Sequence, residues 1–204
     1  MNDFLSDAVD RLRASVAQIV VGRRGGGAGA GIAWREGGLF VTSAHVAVTR
    51  RVSVVTPDGR AAPGEVILRD PHRDVAVIRA PAAQLPAAEL ADARSLRSGA
   101  LVFAIGHPFG VKDAVSAGVL QAVGPLPPGF EANGRSDLAW VQADVRLAPG
   151  NSGGPVADAE GRVIGVSAMI VAGLAVAVPT PDIERLVRSS EPAPRRGTRE
   201  FIWA

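Results

Sequence analysis

Cysteine is absent from this 204-residue chain. No disulfide can staple the fold, and no zinc site built on thiolates is available. Tyrosine is also absent, and aromatic residues make up only 4% of the total. The core must therefore be assembled from Val, Ile, Leu and Ala. Lysine is nearly absent: Lys112 is the only one among 22 basic residues, the rest being arginine. Formal net charge is only +2 and no basic stripe runs along the chain, which argues against a nucleic-acid partner. No segment approaches the roughly 18 uninterrupted apolar residues of a membrane span. Met1 to Ala14 carries charges throughout and lacks a continuous apolar centre, so it does not read as a signal peptide. As given, the chain is expected in the cytoplasm. A periplasmic or extracellular location follows if a leader has been removed.

What is present is an apolar fraction of 47% broken up by 24 glycines and 15 prolines. Many short apolar runs between turn residues read as an all-β protein, either one domain or two small barrels sharing a core. Phe4, Leu5, Ala8, Val9, Leu12 and Val16 recur at helical spacing, predicting a short amphipathic helix ahead of a strand at Val16 to Val21. Gly22 to Gly31 reads as a glycine-rich hairpin or loop. A phosphate-cradling loop is disfavoured there because no GK[ST] signature or following helix appears. Val52 to Thr56 and Glu65 to Leu68 read as strands around the turn Pro57-Asp58-Gly59. Ala-rich Pro81 to Gly99 suits a crossing between two barrels. Leu101 to Ile105, Val163 to Val171 and Leu174 to Val178 read as strands, and Gly124 to Gly134 as a surface loop. Ile183, Leu186 and Val187 predict a helix over Pro181 to Ser189. Residues 191–204 read as a flexible tail, apart from the apolar Phe201-Ile202-Trp203.

The most specific stretch is Pro149-Gly150-Asn151-Ser152-Gly153-Gly154-Pro155. Its glycines allow a tight turn that projects the Ser152 hydroxyl while aiming backbone N–H groups at the space beside it. Taken alone this is also what a glycine-rich β-turn with an incidental serine looks like. Upstream, the strand-like Phe40-Val41-Thr42-Ser43 runs into Ala44-His45-Val46, and Asp74 opens the apolar run Val75 to Ile78. A serine nucleophile needs a base to take its proton and a carboxylate to orient that base. His45, Asp74 and Ser152 supply these in the chain order His, Asp, Ser, which belongs to double-barrel enzymes. Of the other histidines, His72 lies in a turn containing Pro71 and His107 precedes Pro108. Both read as structural, and the three are too scattered for a metal site.

These motifs resemble trypsin-like serine proteases, and among them the HtrA/Deg-type enzymes. Further matching pieces are Ile105-Gly106-His107-Pro108-Phe109-Gly110, Val115-Ser116-Ala117-Gly118-Val119, Gln142-Ala143-Asp144 and Gly173-Leu174-Ala175-Val176-Ala177-Val178-Pro179. The resemblance covers roughly residues 14 to 188. It implies two six-stranded antiparallel β-barrels, roughly 14–85 and 98–180, within one domain of residues 1–190 carrying short N- and C-terminal helices. It implies a serine endopeptidase without metal or organic cofactor, acting on peptides or unfolded proteins. Gly150, Asn151 and Ser152 would form the oxyanion hole. Leu147, Ala148, Ser167, Ala168 and Met169 would contact substrate, with Leu147 favouring small aliphatic side chains. Arg146 departs from the small residue usual at its position. The resemblance also implies a homotrimer, with Phe4 and Leu5 as contact candidates, and export from the cytoplasm. No PDZ domain is expected in this chain, and the segment between Met169 and Leu174 is short. Two alternatives stay open: a catalytically silent binding module, with Phe201-Ile202-Trp203-Ala204 as a self-inhibitor, and an esterase on the same residues.

Overall fold

Four consecutive residues, Val75 to Ile78, are completely buried. A strand alternates faces, so both of its faces must be covered. Two different cores cover this one: Val75 and Val77 enter an apolar layer between two barrels, and Ile78 enters the interior of the first barrel. The same division recurs at Leu101–Gly106, where Phe103 and Ile105 join the shared layer while Val102 and Ala104 fill the second barrel. This explains why these strands read as unbroken apolar runs rather than alternating ones.

A computed structural model describes residues 2–22, 27–111, 114–126, 129 and 138–190. Helix α1 (Asn2–Arg13) leads into β1 (Val16–Val21), β2 (Gly27–Arg35), β3 (Leu39–Thr42), β4 (Arg51–Val55), β5 (Ala61–Asp70) and β6 (Val75–Arg79). The second half holds β7 (Leu101–Gly106), β8 (Ala114–Gly124), β9 (Trp140–Asp144), β10 (Pro155–Asp158), β11 (Val163–Val171) and β12 (Leu174–Pro179), then α2 (Thr180–Ser190). Each half closes into a six-stranded antiparallel barrel, ordered β1-β2-β3-β6-β5-β4 and, six strands on, β7-β8-β9-β12-β11-β10. The expected all-β double barrel with short terminal helices is the observed architecture.

Several boundaries differ from the sequence expectation. The glycine-rich stretch is not all loop: Gly27 already pairs with Val21, so β2 begins there, and Gly31 meets Ala17 across the ladder. A Cβ on Gly31 would press against Ile19, so only glycine lets that inward side chain fill the barrel. β5 starts at Ala61 and extends to Asp70, carrying Pro63 in its ladder opposite Ser53. Most of Gly124 to Gly134, and all of residues 191–204, lie outside the described residues.

The crossing between barrels is bonded to both. Ala88 N–H donates to the Ala33 carbonyl in the first barrel, while Ala91 N–H donates to the Val163 carbonyl of the second and Val163 N–H donates back to the Glu89 carbonyl. Ala8, Val9 and Leu12 of α1, and Ile183 and Val187 of α2, close the shared layer from outside. Leu5 packs against that same layer, whereas Phe4 is 53% exposed. Of the two contact candidates, Phe4 alone faces outward. Glu184 on α2 accepts from Trp34 Nε1 at 3.0 Å and from Arg188 Nε at 3.0 Å, and also pairs with Arg35. The C-terminal helix, which follows the second barrel, is thereby clamped to the first.

Candidate active site

The chain leaves β3 through a single helical turn in which the N–H groups of Val46 and Ala47 both donate to the Ser43 carbonyl. His45 projects from this turn with half of its side chain exposed. Arg69 Nε donates to the Ala44 carbonyl at 3.0 Å, pinning the turn to β5.

Asp74 comes from the hairpin between β5 and β6. Asp70 pairs with Val75 across it, so Pro71 to Asp74 form a four-residue loop. Its last residue must turn back in the left-handed region, and Asp74 has φ +55°. Aspartate tolerates that region better than most residues, though not as well as glycine. The carboxylate is buried and bonds one residue twice: Oδ1 accepts the His45 backbone N–H at 2.9 Å, and Oδ2 meets His45 Nδ1 at 2.7 Å. This second bond is the largest cause of the raised pKa of His45, with the aspartate charge adding to it and burial working against both. The ring is thus held with Nδ1 toward the carboxylate, leaving Nε2 for proton transfer.

Ser152 comes from the other barrel, on the loop between β9 and β10. The loop is pinned at several points: His107 N–H donates to the Gly150 carbonyl, Phe109 N–H to Pro149, and Gly153 N–H to Ser167. Ala30 N–H in β2 donates to the Ser152 carbonyl at 2.8 Å, across the barrel boundary. Gly150 (φ +108°) and Gly153 (φ +83°) adopt angles that L side chains rarely reach. A Cβ on Gly153 would collide with Thr42 Oγ1 and the Ala30 carbonyl, and one on Gly150 with the His107 carbonyl.

The three proposed oxyanion donors fare differently. Among the described residues, the N–H groups of Gly150 and Ser152 donate no hydrogen bond. The Asn151 N–H is spent on Ala148 at 3.0 Å, so the tight turn that frees its two neighbours uses it internally. Asn151 contributes instead as a buried spacer, its side chain lying against Gly106. Sequence reasoning missed this because the three residues look alike as backbone donors.

A cavity of 280 Å³ opens on Ser152, with Leu147, Ala148 and Pro149 on one side and Ser167 to Ile170 on the other. The five expected substrate-binding residues all line it. Arg146 is exposed and lies outside this lining. Pairing of β10 with β11 runs from Val163 to Val166, followed by the Ser167 N–H bond to Gly154. Beyond that point β11 pairs with β12 only, so Ala168 to Val171 form an open strand edge beside the cavity. His107 is buried behind the Gly150 turn, and His72 lies on the hairpin with its N–H on Asp70. Neither joins His45.

No hydrogen bond links Ser152 Oγ to His45 among the described residues. In ligand-free enzymes of this chemistry such contacts are often long and tighten with substrate bound.

The chain is similar to known proteins over most of its length. Residues 29–166 match the trypsin-like peptidase domain. Serine protease HTRA1 of Xenopus tropicalis is 31% identical over 200 residues, spanning 92% of this chain and 43% of that protein. A probable periplasmic serine endoprotease, DegP-like, of Halomonas elongata is 35% identical over 158 residues, 74% of this chain and 32% of that protein. The chain thus spans less than half the length of these relatives. A solved structure of the HtrA-type protease AlgW with a tripeptide superposes with a TM-score of 0.82 at 29% identity, covering 91% of this chain and 62% of that one. The chain belongs to the trypsin-like peptidase family, where its relatives are HtrA-type serine proteases.

Proposed function

We propose that the protein is a serine endopeptidase that cleaves after small aliphatic residues in peptides or unfolded polypeptides. Ser152 Oγ attacks the scissile carbonyl as His45 Nε2 takes its proton, and Asp74 stabilises the imidazolium through Nδ1. The N–H groups of Gly150 and Ser152 receive the oxyanion, each such donor contributing about 10² to 10³ in rate. His45 then protonates the leaving amine, and water releases the acyl group from Ser152. The Leu147 side of the cavity takes the side chain before the cut bond. The open edge at Ala168 to Val171 pairs with the substrate backbone as an added strand.

The observation that carries this reading is the doubly bonded His45–Asp74 pair together with the unspent N–H groups of Gly150 and Ser152. AlgW was solved with a tripeptide and with a decapeptide, and a peptide in the same groove of this chain is the expected complex. The periplasmic name of the Halomonas relative favours export, which a cysteine-free fold tolerates.

Wild type and S152A are compared by intact mass after a serine-directed phosphonylating reagent, and by digestion of β-casein beside a simple ester. One adduct and casein cleavage in wild type, both lost in S152A, are expected. An unlabelled wild type would point to a binding module, and ester turnover without casein cleavage to an esterase.

A further inference from the structure

An unassigned cavity of 580 Å³ lies on the first barrel, between β4, β5 and the end of β6. Such a volume falls within the range of ligand sites. Its lining is unusual for this chain in charge: Arg50, Arg51 and Arg79 surround one carboxylate, Glu65. Ladder register explains why they meet. Arg51 is opposite Glu65, and Glu65 is opposite Arg79, so the three form one row across three strands.

Within that row the charges are not matched. Glu65 Oε1 accepts both Nε and Nη2 of Arg50, at 2.9 and 2.7 Å. Arg51 and Arg79 have no side-chain hydrogen bond or ion pair with any described residue. Arg51 on β4 and Arg79 on β6 flank β5 on either side, and each guanidinium presents a planar fork suited to a carboxylate. Pro63 and Pro81 add rigid apolar walls against which a bound chain's methylenes can lie.

We propose that this cavity binds the carboxylates of an acidic polypeptide segment. The geometry relates it to the catalytic end. β6 begins beside Asp74 and ends at Arg79, a run of about 17 Å at roughly 3.3 Å per residue. In a role as a second substrate contact, the inference rests on the peptidase reading, but binding itself does not.

The test uses the full chain carrying S152A, so that nothing is hydrolysed. Fluorescence anisotropy follows a labelled octapeptide with four Asp/Glu residues, beside a counterpart with Asn/Gln in their place. The acidic peptide should bind at least tenfold more tightly than the neutral one at low salt. R51Q/R79Q, whose folding is checked by thermal melting, should abolish most of this difference, and E65Q, which frees Arg50, should tighten binding several-fold. Equal binding of the two peptides, a difference that survives R51Q/R79Q, or unchanged or weaker binding by E65Q would each overturn the assignment. Tight binding of inorganic tripolyphosphate together with no acidic-peptide preference would overturn it in favour of a phosphate ligand. Because S152A is used throughout, failure here leaves the triad reading intact, and an inactive wild type leaves this one intact.

Discussion

Replacing Asp74 with asparagine separates the electrostatics of the site from its scaffold. The amide keeps the shape of the carboxylate, and asparagine accepts φ +55° readily, so the hairpin need not move. One amide oxygen can still accept the His45 N–H now bound at 2.9 Å. The other acceptor becomes an NH2 group facing Nδ1, at the position now 2.7 Å away. The ring must then carry its proton on Nε2, where it cannot take one from Ser152. In triad enzymes this tautomer error costs on the order of 10⁴ in kcat, or ~5.4 kcal/mol of transition-state stabilisation at ~1.36 kcal/mol per decade. Folded stability should fall far less, by about 1–2 kcal/mol for a charged hydrogen bond made neutral.

The pH dependence gives the same substitution a second readout. The pKa of His45 is raised above its ordinary 6.5, chiefly by the bond to Asp74. A raised folded-state value contributes stability that is complete below the unfolded value and disappears as pH rises through the folded one. The stability gap between wild type and D74N should therefore be wide near pH ~5.5 and narrower near pH ~8.5, measured by urea unfolding at both. Peptide turnover supplies the kinetic arm. D74N retaining more than a tenth of wild-type kcat/KM, or a gap that widens with pH, would refute the role given to this pair.

Gly153→Ala should lower stability by about 3 kcal/mol or more, combining left-handed strain with overpacking against Thr42 and Ala30, seen as a Tm lower by roughly 6–12 °C. Glu184→Gln should cost about 2 kcal/mol, because an anion bonded by Trp34, Arg35 and Arg188 is replaced by an amide. Burial alone would raise the Glu184 pKa, but hydrogen bonds from Trp34, Arg188 and Arg35 outweigh it and hold the value low. The wild-type advantage over E184Q should thus hold above the ordinary value of 4.5 and shrink as pH falls through the lowered one. Leu147→Ala should enlarge the 280 Å³ cavity and shift preference toward Phe and Met by about tenfold, read by mass spectrometry of a cleaved peptide library.

Much of the architecture was legible because its strands bury both faces. Runs such as Val75 to Ile78 and Val102 to Ile105 carry a continuous apolar signal between turn residues, and the C-terminal helix shows its stripe of Ile183 and Val187. Only the start of β2 was hard to see: Ala30 to Trp34 resembles a strand, but Gly27 to Gly29 looks like a loop when only propensity is considered. Its ladder is set by the tight packing of Ile19 over Gly31, a tertiary fact without local trace. The same limit applied at Asn151, whose donor is consumed by a turn only three residues across. The arginine row was invisible for another reason: Arg51, Glu65 and Arg79 are 14 residues apart at each step and meet through register alone.

The two halves of the candidate catalytic arrangement have different structural origins. His45 and Asp74 both belong to the first barrel, so their 2.7 Å contact is fixed by pairing within one sheet, through β3 against β6. Ser152 belongs to the second, and its distance from His45 depends on how the barrels dock. Two bonds cross between the barrels near the site, Ala30 N–H to Ser152 and Ser43 Oγ to the Ser167 carbonyl at 2.8 Å, and within the second barrel Gly153 N–H donates to that same carbonyl. Ser167 thus ties the turn carrying His45 to the turn carrying Ser152 through one oxygen atom. A shift of well under an ångström between barrels can make or break a serine–histidine hydrogen bond while leaving the histidine–aspartate one untouched. That is the state observed, with the intra-barrel pair formed and the inter-barrel one open. In the proposed complex, a substrate strand added along β11 would lie next to Ser167, whose carbonyl is shared by the two turns.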